Sequence, residues 1–351
     1  MSNTEQTAAL LRHAVGQQGP ITPTGADIAE WIWWARFDRC MPLLYHLLLD
    51  TPTDLAEDQR RDVRQYFHAA MCRCVQLEHH SIVLAGLLGD HGIQSVLLKG
   101  GATAHLAYPD PSWREFSDID LLVRPGDLAR AIELIESASW LQGYPLPLGH
   151  ERFTHAVTFI QDSMELDLHQ RIAHRALGRL LPTEDLMARA VQFNVAGTAL
   201  GALDDVDRFI HSAVHAVASG RSGQRPSSLA DILMVAERRP ELAEAVLDRA
   251  ESERVRSLVE RGIRDAYSAA QLSPPDAWSE AMNRAIKRRD RLVDFAYLDS
   301  RRRPGLEEVA HLRLLEGWWE RIRYIGGFFV YEGSGIMGRI RYAWGKLRAD
   351  D

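Results

Sequence analysis

One short run constrains this chain more than any other: Ser117, Asp118, Ile119, Asp120, Leu121, Leu122 and Val123. Its apolar content reads as a buried strand. Successive strand side chains point to opposite faces, so Asp118 and Asp120 share one face while Ile119, Leu121 and Val123 share the other. Two neighbouring carboxylates repel each other, and a buried carboxylate without a partner is costly. Something positive must sit between them. A divalent cation is the natural counter-charge, and hard oxygen ligands suit Mg²⁺, with Mn²⁺ the second choice.

A third carboxylate follows from the same period of two. Met164 to His169 alternates apolar and polar, so Glu165, Asp167 and His169 share a face. If that strand lies beside 117–123, Asp167 completes a three-carboxylate cluster able to hold two Mg²⁺ ions roughly 4 Å apart. Glu165 is then an alternate ligand or a supporting partner. His169 could touch a phosphate, act as a base, orient a carboxylate, or be a hydrogen-bonded core residue. Upstream, Gly100 and Gly101 separate a strand, Ser95 to Leu98, from a short helix over 102–108. Glycine lets backbone N–H groups approach phosphate oxygens, and a helix N-terminus adds favourable partial charge. Lys99 could neutralise phosphate or be solvated. Arg114 could contact phosphate or pair with one of the aspartates.

The rest of the chain frames this core. Helical spacing predicts helices over 4–15, 26–38, 42–50 and 56–90, then a helix over 127–140. Strands are expected at 153–160 and 164–170, and the chain reads as mostly helical from 176. The fold class is therefore α+β: a small mixed sheet flanked by helices, with an N-terminal helical region (1–90), a catalytic core (91–175) and a C-terminal helical region (176–351). Trp31, Trp33, Trp34 and Phe37 read as helix-packing aromatics. With 351 residues, 46% hydrophobic and 25% charged, the composition is that of a globular protein. The net charge of -7 speaks against binding long duplex nucleic acid. Three cysteines, Cys40, Cys72 and Cys74, are too few for a disulfide framework or zinc site and suit a reducing compartment. No signal sequence and no run long enough for a membrane span is evident, which reads as cytoplasmic.

Taken together, Leu98-Lys99-Gly100-Gly101, Tyr108-Pro109, Arg114, Ser117 to Val123 and Leu166 to His169 resemble a known pattern. The chain is similar, over about residues 30–235, to the uncharacterised nucleotidyltransferase family of the polymerase-beta-like superfamily. Sixteen residues lie between Gly101 and Asp118, more than in the minimal superfamily pattern; the narrower family shares the longer loop. The resemblance implies Mg²⁺-dependent transfer of a nucleoside monophosphate from an NTP donor. Asp118, Asp120 and Asp167 would be catalytic and metal-binding. Lys99, Gly100, Gly101, Arg114, Ser117 and His169 would bind the nucleotide. Relatives near peptide- and polysaccharide-tailoring systems favour a small-molecule or peptide acceptor, with tRNA the less favoured partner. Other readings are sugar or phosphate transfer on the same scaffold, and a non-catalytic nucleotide-binding regulator.

Weaker signals lie downstream. His211 and His215 share a helix face at i, i+4, but Ser212 stands where a zinc protease motif has glutamate, and no third ligand is evident. His215 or Asp231 could shape the nucleotide cleft. The aromatic and Arg-rich segment 309–349 reads as a helix docked on the body with a basic outer face, or as a surface for a membrane or an anionic partner.

Overall fold

The computed structural model describes residues 3–17, 22–143, 154–219, 225–299 and 305–325. Helices α1 (Asn3–Ala14), α2 (Ile28–Phe37), α3 (Met41–Asp50) and the long α4 (Glu57–Asp90) lead into strand β1 (Ser95–Leu97) and helix α5 (Lys99–Ala107). Strand β2 (Ile119–Val123), helix α6 (Leu128–Ser137), and strands β3 (Leu141–Gln142), β4 (Ala156–Gln161) and β5 (Met164–His169) follow. Helices α7 (Arg175–Leu180) and α8 (Thr183–Ala188) then precede a hairpin of β6 (Val191–Val195) and β7 (Thr198–Ala202). The chain continues through α9 (Asp205–Ala218), α10 (Pro226–Arg238), α11 (Ala243–Ser252), α12 (Arg256–Ala270), α13 (Asp276–Asn283), α14 (Arg291–Leu298) and α15 (Leu306–Leu314). This is the expected α+β class.

The strands form one mixed sheet in the order β3-β4-β5-β2-β1-β7-β6. Strand β2 runs parallel to β5, with Asp120 opposite Asp167 and Leu122 opposite His169. Strand β1 pairs antiparallel with β2 and parallel with β7. The helical reading from residue 176 therefore misses a hairpin that extends the sheet. Its register explains the omission: in β6 only Phe193 and Val195 are buried, so the strand carries half the apolar signal of β2.

Period-two alternation sorts the sheet into two faces. Ile119, Leu121, Val123, Leu166 and Leu168 pack with Leu77, Leu84 and Leu88 of α4 and with Leu128 and Ile135 of α6. Leu122 and Val96 point the other way, into a larger core built by α1 to α3 and the C-terminal helices. The polar residues of β2 and β5 fall on that second side. The carboxylates thus face the C-terminal helices, at a seam between two hydrophobic clusters.

The diglycine sits differently from the expected strand break. Both residues lie in the first turn of α5, which begins at Lys99. A Cβ at Gly100 would lie 2.5 Å from Phe116 Cβ, and one at Gly101 would meet Leu97 at 3.0 Å. Close packing of the helix start against the segment entering β2 demands glycine at position 100. Lys99 has φ +35°, a conformation that non-glycine residues adopt only under constraint, and it marks the edge of the acidic site.

Of the aromatics on α2, Trp31 and Trp34 are buried as expected, whereas Trp33 and Phe37 are exposed and stacked at 5.8 Å. All three cysteines are free thiols. Among the described residues, no helix is long and apolar enough to cross a membrane. The residues from 326 onward, including Arg339, Arg341, Lys346 and Arg348, lie outside the described residues.

Candidate active site

Strand pairing brings Asp120 and Asp167 side by side, and the residue two further along β5, His169, closes the group. One ligand atom from each of Asp120, Asp167 and His169 lies within 4.8 Å of the others. Among the described residues this is the one cluster with metal-ligand geometry. Asp118 stands in the bend just before β2, partly exposed, and accepts a hydrogen bond from Ser117 Oγ at 3.0 Å. It lines the same pocket as Asp120 but is not part of the compact group. Glu165 is exposed near the start of β5 and outside the compact group, but its partial burial, then the charges of Asp167, Asp118 and Asp120, raise its pKa.

Asp120 is buried, and its Oδ1 receives two donors: His169 Nε2 at 2.7 Å and Lys99 Nζ at 3.2 Å. Burial alone would raise its pKa, but Lys99 and His169 hold it well below the usual carboxylate range. Lys99 in turn is half-buried, which disfavours its charge, yet the attraction of Asp120, Asp118 and Asp167 keeps its pKa raised. The ammonium supplies positive charge beside Asp120, where the sequence reading expected a divalent cation. Asp167 behaves oppositely to Asp120. Its burial outweighs His169 and a 2.6 Å hydrogen bond from Thr158 Oγ1, so its pKa is raised. Of the roles open to His169, the geometry selects that of orienting a carboxylate. With Nε2–H donating to Asp120, Nδ1 lies 3.2 Å from the Arg171 carbonyl, and the ring is held between β5 and the residues that follow it.

Arg114 does not pair with the catalytic-face aspartates. It makes a two-pronged ion pair with Asp231 of α10, Nε to Oδ1 at 2.7 Å and Nη2 to Oδ2 at 2.9 Å. Tyr108 Oη donates to the same carboxylate at 2.7 Å. The loop that leads into β2 is thereby tied to the C-terminal helices, and the guanidinium is fixed at the wall of the pocket. Asp231 does shape the cleft, through Arg114.

The pocket above the acidic residues has a volume of 290 Å³. Lys99, Gly100, Arg114, Asp118 and Asp120 line its sheet side; Arg39, His215, Arg225, Ser227 and Ser228 line the other. That size is at the small end of ligand cavities, roughly 300–1,000 Å³. Two helix N-termini open on it, those of α5 and α10, together with four cationic side chains. Such a wall suits a phosphate chain. Sequence reasoning missed Arg39, Arg225, Ser227 and Ser228. Arg39 lies in an unremarkable helix–helix connection. Arg225-Pro226-Ser227-Ser228 did carry a signal, since proline at the first helical position marks a helix start.

Among the described residues no third ligand joins His211 and His215. Their rings stand 6.3 Å apart, and burial first, then the charge of Lys99, lowers both pKa values, that of His215 to about 3. They are neutral neighbours of the acidic site.

A mixed sheet carrying registered aspartates beside a helix-capped pocket rich in cationic side chains defines the class: an α+β protein with a candidate divalent-metal centre. Within that class, the model of the family described as uncharacterised nucleotidyltransferase matches residues 24–268, and the chain belongs to that family. No curated protein matches the chain. Among solved structures, it is similar to an antigenic nucleotidyltransferase-like protein from Paracoccidioides brasiliensis, at 18% identity and a TM-score of 0.34. That match covers 56% of this chain and 93% of the other.

Proposed function

We propose that the protein moves a nucleoside monophosphate from an NTP to a hydroxyl, phosphate or carboxylate of a small molecule or peptide, in the cytoplasm. The observation that carries this reading is the register of Asp120 against Asp167, with Lys99 neutralising them at the mouth of a cationic pocket. The donor set fits a divalent cation. Two carboxylates converge, one already depressed toward the ionised form, and His169 steadies it from behind.

Asp120 and Asp167 would hold the ion, with Asp118 available at the pocket edge; Mg²⁺ suits the carboxylates and Mn²⁺ would tolerate His169 as well. When bound, the ion offsets phosphate charge and polarises the phosphorus under attack. The residues of the chain do the rest. The first-turn N–H groups of α5 and α10, with Lys99, Arg39 and Arg225, bind and orient the phosphates. Arg114, held rigid by Asp231, fixes one wall. The raised pKa of Asp167 makes its ionised carboxylate the stronger base of the pair, suited to take the proton from an attacking hydroxyl. Most of the acceleration then comes from positioning and charge neutralisation. The pocket's 290 Å³ would suit the phosphate chain, with the base and acceptor toward its rim.

The test compares NTP labelled at the α-phosphorus with NTP labelled at the γ-phosphorus, incubated with a small-molecule and peptide extract. Transfer of the α-label with release of labelled pyrophosphate from the γ-labelled donor is expected. Transfer of the γ-label to the acceptor would replace this reading with phosphoryl transfer.

A further inference from the structure

The last described segment forms a helix over 318–325, entered through Gly317 at φ +79°. One side of it is anchored. Glu320 lies 3.9 Å from Arg179 of α7, and the Tyr324 ring packs on His311 of α15 at 4.6 Å. Helix α15 is itself pinned to α7, by Arg175 to Glu307 at 2.6 Å and to Glu308 at 2.9 Å. The helix therefore stands on a fixed base.

Its outer side is apolar, which amends the expectation of a basic outer face. Trp318 is 60% exposed, Trp319 59%, Ile322 50% and Ile325 42%. Residues 318, 322 and 325 recur at helical spacing, and the Trp318 and Trp319 rings stack at 3.9 Å. Single exposed apolar residues need no explanation; four within one eight-residue helix form a contiguous patch of the kind that marks a docking surface. At about 100° per residue, Arg321 and Arg323 fall on the two flanks of this apolar stripe, and both are exposed.

We infer that this helix docks the protein on a bilayer surface bearing anionic lipids. Apolar residues led by tryptophan, flanked by arginines and anchored to the body on the opposite side, are the composition of an interfacial helix: the indoles would sit at headgroup level and the guanidinium groups would meet lipid phosphates. Charge complementarity selects this occupant. A second copy meeting the patch would gather four like-charged arginines, Arg321 and Arg323 of each, around one apolar interface. The chain as a whole carries a net charge of -7, so the basic flanks make this helix a local exception that orients the protein toward an anionic surface. The inference is independent of the proposed reaction.

The experiment is co-sedimentation of the full-length protein with vesicles of phosphatidylcholine alone and of phosphatidylcholine mixed with phosphatidylserine, with tryptophan emission recorded in parallel. Wild type should bind the mixed vesicles about tenfold or more tightly than the neutral ones, with a blue-shifted emission. Trp318→Ala/Trp319→Ala should weaken binding at least tenfold, and Arg321→Gln/Arg323→Gln should lower it and flatten its salt dependence. All four side chains are exposed, so thermal melts should match wild type, and the chain retains seven other tryptophans as folding reporters. Three results would overturn the inference. These are equal binding to neutral and anionic vesicles or none to either; a dimer in solution that the tryptophan variant dissolves; and protection of Trp318 and Trp319 from aqueous quenchers in the free protein, which would mean that another part of the chain covers them.

Discussion

Removing Asp231 should cost more than removing Asp231 and its partner together. The carboxylate accepts from Arg114 Nε, Arg114 Nη2 and Tyr108 Oη, all within 2.9 Å. The side chains of Arg114 and Asp231 are 11% and 7% exposed. Asp231→Leu strands a buried guanidinium and a buried phenol. Losing one partner of a buried ion pair destabilises by about 3–5 kcal/mol, chiefly through the unpaired charge left behind. Arg114→Met/Asp231→Leu removes both charges and keeps apolar volume, so much of that loss should return. The assay is urea denaturation of wild type, each single variant and the double variant. The double variant should unfold at higher urea than Asp231→Leu alone, with a coupling energy of at least about 2 kcal/mol. Additive losses, or a cost for Asp231→Leu below about 1 kcal/mol, would show that the pair is solvated and that the loop is not tied to α10 through it.

Other outcomes follow from the same geometry. Gly100→Ala forces a shift of Phe116 and should lower the melting temperature and weaken nucleotide binding, whereas Gly126→Ala, with open space around its Cβ, should leave both unchanged. His169→Gln should weaken Mn²⁺ affinity about 10–100-fold in a calorimetric titration, because Asp120 loses its orienting partner. Burial pushes Glu115 up to about 7 from its usual 4.5, against the pull of Arg39 and Arg114. The folded state therefore holds this proton more tightly. Its contribution is complete below pH 4.5 and lost as pH rises to 7, about 3 kcal/mol at the upper end. Glu115→Gln should abolish that component of the pH dependence when stability is measured across this range. Burial pushes the Cys74 thiol up to about 12, and Cys40 is buried too, so a thiol reagent at pH 8 should label Cys72 alone until the protein is unfolded.

The legible part of this protein was the part written in period two. Met164 to His169 alternates strictly and Asp118 and Asp120 stand two apart, so the shared faces could be read from local spacing; that β5 lies beside β2, bringing Asp120 opposite Asp167, entered only as a condition. Helices α1 to α4 were legible for the matching reason at helical spacing. Three things were not. The hairpin β6–β7 sits at the sheet edge with one face exposed, and its pattern is diluted by Gln192, Asn194 and Gly201. Lys99 as counter-charge depends on a left-handed backbone at the start of α5, which no spacing encodes. The Arg114–Asp231 pair spans 117 positions, and Arg39 and Arg225 come from connections that meet the site only after the C-terminal helices fold over the sheet. Non-local ion pairs depend on packing, and one sequence carries little trace of them.

The central claim is that Asp120 and Asp167 form a metal-dependent nucleotide site. Calorimetric titration of each NTP, with and without Mg²⁺, on wild type and on Asp120→Asn/Asp167→Asn, tests it most directly. Binding should need the metal and vanish in the double variant while the variant stays folded. Binding of equal strength without metal or in the variant, or no binding of any NTP, would contradict it.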